Sequence, residues 1–458
     1  MKINKFGLIG SLLFPLALSA APNTLSVDTI STALVTDPTL PSPLPSVWTY
    51  SDCLQWATAN STDLRQALLN ILTSRQDILS AKDEWLPTVG FSTNQNFTNY
   101  PIAKPGQAAS NSYGSSYSVG VNWTAWDGNA RKYRAESARL IERQNLLAGD
   151  DVIKNIKLGL LEAYLNILYS GEAVDIARQT LEVSTSQAER AKKLMESGRS
   201  SKVDYAQIES QRAQDSYNLT QAEGNYQSAK MALKKILQLG LDYNLEIADV
   251  LFPDSEVLSP LPDSESVYNI AMSWLPSIKS NELSKDIYAC DVKIAKTGML
   301  PTIGLQGGIG TGYNSGGYSW GKQMGYNLNE NIGLNLNVPI FDGNSTKRAV
   351  AKARLASLQY DLNREQLLTD LSQTIENLYI EANNAYAKYR AGLSQLEATT
   401  LTDELVNRQF ELGLVNPLEL LTAHNNLLNS RLELLRSKYM AILSAKTINY
   451  YATGDIQL

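Results

Sequence analysis

One histidine and two cysteines are all that this chain offers to acid–base, thiol or transition-metal chemistry. His424 has neither a second histidine nor a nearby cysteine with which to share an ion or a proton, so its expected place is between helices or at the surface rather than in a titrating centre. Cys53 and Cys290 stand far apart in segments that read as helices, and neither follows the small-residue pattern of a lipid-attachment site. No disulfide framework and no lipid anchor is indicated. The glycine cluster from Gly307 to Gly317 is the run best suited to cradling a phosphate. Its spacing does not meet Gly-x-Gly-x-x-Gly, however, and a strand follows it instead of a helix. Neither Gly-x-Ser-x-Gly, His-Glu-x-x-His nor a Walker sequence occurs. These residue types support no enzyme, no cofactor and no metal centre. With 46 acidic against 40 basic side chains and a net charge of −6, the chain also lacks the cationic face that a nucleic-acid backbone requires.

The information lies in how the elements are arranged. Lys2 and Lys5 precede the apolar run from Leu8 to Leu18, and Ser19, Ala20 and Ala21 follow it, which reads as an export signal over residues 1–21. A Pro-rich linker is expected over residues 22–47. No later stretch approaches the ~20 consecutive apolar residues of a membrane-spanning helix, so entry into a membrane would have to be as a β-barrel.

Trp126-Asp127-Gly128-Asn129 recurs as Phe341-Asp342-Gly343-Asn344, an offset of 215 residues from Gly128 to Gly343. The same offset pairs Ala138-Arg139-Leu140 with Ala353-Arg354-Leu355, Gly198 with Gly413, and Asp204 with Glu419. Two copies make a tandem duplication, expected over residues 48–250 and 265–458 with a connector at 251–264. Within each copy the period of the apolar residues changes. Alternation with period two predicts strands over about residues 86–100, 113–125, 300–313 and 324–341. The last is the most regular: Ile332, Leu334, Leu336 and Val338 alternate with Asn331, Asn335 and Asn337. In a membrane the first set would face lipid and the second a watery lumen. Alternation alone allows a soluble sheet equally well. The export signal and the aromatics near the strand ends, among them Tyr100, Trp123, Trp320 and Tyr326, favour the membrane. Four strands cannot close a barrel, so two, three or four chains would have to supply eight, twelve or sixteen.

Long helices are predicted over about residues 129–197 and 344–412, with return helices over about 202–239 and 417–450. A Gly-poor, Pro-free run of this kind makes a helix of roughly 100 Å. Its stripe Ile153, Ile156, Leu160, Ala163, Ile167, Ser170, Val174, Ala177 steps by three and four residues, as side-by-side coiled-coil packing demands.

Helix, strand hairpin, very long helix, sharp turn and returning helix, twice over behind an export signal, resembles the outer-membrane efflux protein family, the TolC-like exit ducts. The resemblance covers nearly the whole mature chain. It rests on Leu86-Pro87-Thr88 and Leu300-Pro301-Thr302 leading into strands, on Val338-Pro339-Ile340-Phe341-Asp342-Gly343-Asn344 leaving them, and on the turns at residues 196–205 and 411–421. A Gly often follows Asp-Gly in the family, where this chain has Asn129 and Asn344; Asn also tolerates turn geometry. The resemblance implies an α+β membrane protein, a homotrimer whose twelve-stranded β-barrel in the outer membrane continues as a twelve-helix α-barrel across the periplasm. It implies docking on a periplasmic adaptor and an inner-membrane RND or ABC transporter. Gly198, Val203, Asp204, Gly413, Leu414, Val415, Leu418, Glu419 and Leu420 would meet the adaptor, and Glu419 and Thr422 would stand at the periplasmic aperture. The competing expectation is an exported coiled-coil scaffold or binding protein without a pore.

Overall fold

The computed structural model describes residues 45–102, 110–240, 242–315, 318–456 and 458. The export signal and residues 22–44 of the linker lie outside them. Two leading helices, α1 (Tyr50–Asn60) and α2 (Thr62–Asp83), run into a strand pair, β1 (Thr88–Tyr100) and β2 (Ser110–Trp126). The long helix α3 (Ala130–Glu196) and its return α4 (Lys202–Leu237) complete the first half. After a connector holding the short helix α5 (Asp254–Val257), the order repeats: α6 (Ser264–Trp274), α7 (Pro276–Thr297), β3 (Thr302–Asn314), α8 (Trp320–Tyr326), β4 (Asn329–Asn337), α9 (Ser345–Glu411) and α10 (Pro417–Thr453). Both long helices have 67 residues. Among the described residues no helix is long and apolar enough to cross a membrane.

The strands form one antiparallel sheet in the order β1-β2-β3-β4. Each long helix is launched by the same device. Gly128 and Asn129 both have φ of 72°, and Gly343 and Asn344 have φ of 66° and 65°. The preceding carboxylate receives the first free amides: Asp127 Oδ2 accepts from Arg131 N–H at 2.9 Å, and Asp342 Oδ2 from Thr346 N–H at 2.7 Å. Asn is among the non-glycine residues that occupy the left-handed region at least cost, so the motif keeps its geometry without the second glycine.

α3 lies along α4, and α9 along α10. The predicted stripe is buried at Leu160, Ile167, Ser170, Val174 and Ala177, and in the second copy at Leu371, Ile375, Ala382, Ala385 and Tyr389. α2 packs on α3, while α7 packs on both long helices and so joins the halves. Three tyrosines on one side of α9 hold the connector. Tyr379 donates to Pro262 C=O, Tyr386 to Ser259 C=O and Tyr389 to Asp254 Oδ1.

Several bounds differ from expectation. The leading helical segments are each broken in two, at Ser61, whose Oγ caps α2, and at Pro276, which has no amide to continue a helix. The fourth strand, expected over 324–341, is confined to Asn329–Asn337. A helical turn, α8, takes its first residues, and beyond Asn337 there is nothing to pair with, since β3 begins at Thr302 opposite it. Val338 therefore lies just past the strand.

Cys53 and Cys290 are both buried free thiols. Burial first, and Asp52 next, push the Cys53 thiol up to about 12, and burial also raises that of Cys290. Since only the thiolate reacts, the native protein should take up no maleimide near neutral pH, and two equivalents after denaturation. Rapid native labelling counted by mass would contradict this packing.

Candidate functional site at the sheet and the helical tips

Residues opposed across an antiparallel ladder share a face, so the register decides whether four alternating strands make two uniform surfaces. They do. Val89 and Phe91 of β1 align with Val121 and Val119 of β2; these align with Gly307 and Ile309 of β3, and Trp123 with Leu305. Ile332, Leu334 and Leu336 of β4 complete the row against Gly307, Leu305 and Ile303. On the other face lie Gly90, Ser92, Asn94, Asn96, then Ser116, Ser118, Gly120, Asn122, then Gly304, Gln306, Gly308, Gly310, and lastly Asn331, Gly333, Asn335 and Asn337. That second face carries no charged side chain at these positions. On the apolar face Glu330 is the exception, opposite Ile309 at the end of β4. Among the described residues the apolar face is covered by α8 at the outer end of β3, while most of its large side chains stay exposed, and the outer edges of β1 and β4 have no strand partner.

At the far end of the long helices each hairpin turns through a glycine. Gly198 has φ of 73° and Gly413 of 74°, and a Cβ at either would meet nothing within 4 Å; the requirement is the left-handed backbone alone. The bonds Arg199 N–H to Leu194 C=O and Leu414 N–H to Gln409 C=O, both 2.9 Å, close the last helical turns. Ser201 and Asn416 cap the return helices, with Asp204 and Glu419 in their first turns. Asp204 accepts from Ser201 N–H at 3.1 Å while Ser201 Oγ accepts from Asp204 N–H at 3.0 Å, and the bonds from Ser201 and then Ser200 hold the Asp204 carboxyl below the usual carboxylate range. Asn416 Oδ1 likewise accepts from Glu419 N–H at 2.9 Å, while its side-chain amide donates to Glu419 Oε1 at 3.2 Å. Thr422 gives its hydroxyl to Leu418 C=O on its own helix. Val203, Leu414 (71% exposed) and Leu418 (67%) stand out from the tips, together with Leu412, and Val415 is half-buried. Leu420, expected on the same surface, is fully buried at 0%. Two residues turn a helix by ~200°, so Leu418 and Leu420 cannot share a face.

Near the tips the two hairpins are tied by polar side chains. Gln187 donates to Asn407 Oδ1 at 2.8 Å, Arg190 meets Glu411 at 2.6 Å, and Gln211 and Asn425 exchange amide bonds at 3.3 Å. His424 is interhelical: its Nε2 lies 3.2 Å from Asp215 Oδ2, and both side chains are buried. Asp403 of α9 is also buried, with Oδ2 bonded to Asn407 and Oδ1 unpartnered. Burial raises its pKa, against the opposing pull of His424 and Arg431.

The family model described as outer membrane efflux protein matches residues 53–238 and 267–449, which are the two halves of this fold. The chain belongs to the outer membrane efflux protein family. Two relatives are similar over long stretches. The alkaline protease secretion protein AprF of Pseudomonas aeruginosa is 25% identical over 64% of this chain and 60% of its own length. The outer membrane efflux protein BepC of Brucella suis is 21% identical over 89% of this chain and 85% of its own. A solved structure of CusC superposes with a TM-score of 0.73 at 18% identity, covering 87% of this chain and 91% of that one. This efflux-family protein is an outer-membrane channel component of a Gram-negative cell.

Of the residues singled out in the sequence, the strand sets fall on two faces as the alternation requires, and the tip residues other than Leu420 gather at the two turns. The ties Gln187–Asn407, Arg190–Glu411, Gln211–Asn425 and Asp215–His424 were not foreseen. Each spans 209 to 221 residues, close to the repeat offset, so searching for complementary polar pairs one repeat apart would have found them. Asp403 yields a test. A carboxyl whose folded pKa is raised is destabilising while ionised, so the penalty is present above the folded pKa and gone below the unfolded value near 3.8. Asp403→Asn should therefore raise the thermal midpoint at neutral pH and leave it unchanged in acid; a lower midpoint at neutral pH would show that the charge on Asp403 is favourable.

Proposed function

We propose that three copies of this chain, exported under the residue 1–21 signal, close into a twelve-stranded barrel continued by a twelve-helix tunnel, a duct that passes cargo outward from an inner-membrane transporter. The observation that carries this is the open sheet with one apolar face, one uncharged Gly/Ser/Asn face and two free edges. An open edge has no place in hydrocarbon. Because the strand number is even, β4 of one chain meets β1 of the next antiparallel, as β2 meets β3 inside the chain. The inner joint shows what the outer one needs. A Cβ on Gly128 would meet Leu300 Cβ at 2.9 Å, whereas the equivalent space beside Gly343 is open, and Leu86, the counterpart of Leu300, is 61% exposed against 40%. In the closed ring the Leu86 of a neighbouring chain fills the place at Gly343. The names of the relatives span protein secretion and efflux, a range suited to a duct whose wall carries no chemistry for one cargo.

In this reading Ile332, Leu334, Leu336 and, just past the strand, Val338 face lipid, and Asn331, Asn335 and Asn337 line the lumen. Native mass measurement in detergent should return trimers; monomers alone would overturn the duct. Leu334→Arg should impair insertion by ~2–4 kcal/mol if it lies near the midplane. Asn335→Arg should insert normally and change conductance. Equal tolerance of both would refute the assignment of faces.

The tips then meet a periplasmic adaptor, itself bound to an RND or ABC transporter, through Val203, Leu414, Val415 and Leu418 around the glycine turns, with Glu419 forming one acidic ring at the aperture and Thr422 standing one turn further. Exposed apolar side chains on a reversal that a structural turn would make polar mark a docking surface. Leu418→Asp should leave the trimer and its insertion intact and abolish adaptor co-purification and export. Normal export by an inserted Leu418→Asp trimer would remove this surface from the contact.

A further inference from the structure

The sheet is not complete at its outer end. β4 starts at Asn329 opposite Gly310, so the β3 edge from Thr311 to Asn314 has no strand beside it. α8 occupies that position. The Gln323 carboxamide accepts from Asn314 N–H at 3.0 Å and donates to Asn314 C=O at 2.9 Å, the pair of bonds that a neighbouring strand's peptide groups would make. The same amide reaches Tyr318 C=O, and Asn327 donates to Gly312 C=O at 2.6 Å. Gln323 is buried by these contacts. The side of the sheet is also settled: Thr311 lies on the apolar face, opposite Tyr117 and two residues beyond Ile309, and its hydroxyl donates to Met324 C=O at 2.7 Å. α8 therefore sits against the apolar side of the edge, with Trp320 56% and Tyr326 75% exposed and Tyr318 open beside them, its ring 6.0 Å from that of Tyr326.

Its level on the sheet is informative. Along β3 the aliphatic row ends at Ile309 and gives way to Thr311 and Tyr313; along β2 it ends at Val119 and gives way to Tyr117, Ser115 and Tyr113; along β1 Val89 and Phe91 give way to Thr93 and Gln95. The Tyr113 and Tyr313 rings are 6.2 Å apart on this face. A change from aliphatic to mixed polar and aromatic side chains marks the hydrocarbon boundary, where Trp and Tyr place a ring in the apolar layer and a donor among the headgroups. On the line of β4 no strand residue reaches that level.

Resting on the duct reading, we propose that α8 is a membrane-interface segment. It stands in for the missing outer end of β4, latched to β3 by Gln323 and Asn327, and its Tyr318, Trp320 and Tyr326 rings continue the aromatic girdle among the lipid headgroups of the outer leaflet. The exposed Lys322 supplies a cation at phosphate level.

The test uses the assembled full-length channel in vesicles of phosphatidylcholine brominated on the acyl chain close to the headgroup. Subtracting the fluorescence of Trp320→Phe from that of the parent isolates Trp320. Its emission should fall about two-fold or more in brominated relative to ordinary lipid and respond weakly to aqueous iodide. Quenching by iodide alone would place the ring in water, and protection from both would place it against a neighbouring chain; either result overturns the proposal. Trp123→Phe provides the same difference signal for a strand residue on the apolar face. If Trp123 is quenched by brominated lipid and Trp320 is not, the duct stands and this inference fails; if neither is, the membrane reading falls and takes this one with it. Gln323→Ala, which cuts the latch, should reduce the Trp320 quenching while trimers persist, and unchanged quenching would show that the latch does not position α8.

Discussion

A strand in hydrocarbon must find a hydrogen-bonding partner on both sides, and a four-stranded sheet leaves two edges without one. Much of the architecture follows from that unsatisfied pair. Duplication of a two-stranded unit keeps the strand number even, so copies can join antiparallel at every seam. The register must also hold its parity from strand to strand, because a slip of one residue would send an apolar row onto the polar face. Here parity is kept from Val89 through Val121 and Gly307 to Ile332. Where β4 runs short, the Gln323 side chain supplies the missing backbone groups. The constraint is thus met even at the position where the strand is not.

The helical part inherits a second constraint from the first. In the proposed ring of strands the helices must start at one level and point one way, and the paired Asp-Gly-Asn turns give both long helices the same start. They must then end at one level. One inserted residue would turn everything beyond it by ~100° and shift it by ~1.5 Å, removing both the buried seam and the alignment of the tips. This explains why the offset of 215 residues holds without a gap from Gly128/Gly343 to Gly198/Gly413. Loops and the connector face no such demand, and it is there that the two halves diverge.

What could be read in advance follows the same division. Strands with one apolar face and helices with one apolar stripe write their periods into the sequence, and glycines needed for a positive φ mark the turns whatever surrounds them. α8 was hidden because Gly, Ser and Tyr around it signal a loop and seven residues are too few to show a period. The burial of Leu420 depends on helical phase, which is set by where Pro417 starts α10 and not by the apolar character of the turn. The ties between hairpins were hidden for another reason. Gln187 and Asn407 have no local feature in common; only folding of the duplicated chain brings them to the same height.

Those ties differ in kind from what holds each hairpin together. Along the shaft, α3 and α4 or α9 and α10 are joined by buried aliphatic side chains such as Leu160, Leu233, Ile375 and Ile442, each worth roughly 1.5–3 kcal/mol. Between hairpins near the tips, the apolar contribution shrinks to the small Ala188, Ala191 and Ile208 cluster with Phe410 against it, and the rest is amide pairs, one exposed ion pair and the Asp215–His424 contact. A neutral hydrogen bond contributes only about 0.5–1.5 kcal/mol net, and an exposed ion pair no more, about 0–1 kcal/mol. Each hairpin is therefore held along its length by apolar packing, while near the tips the two hairpins are joined mainly by polar contacts, of which Asp215–His424 is buried. The surface proposed for docking lies at this end, so binding energy applied there would act on the polar contacts between the hairpins rather than on the shaft or the sheet.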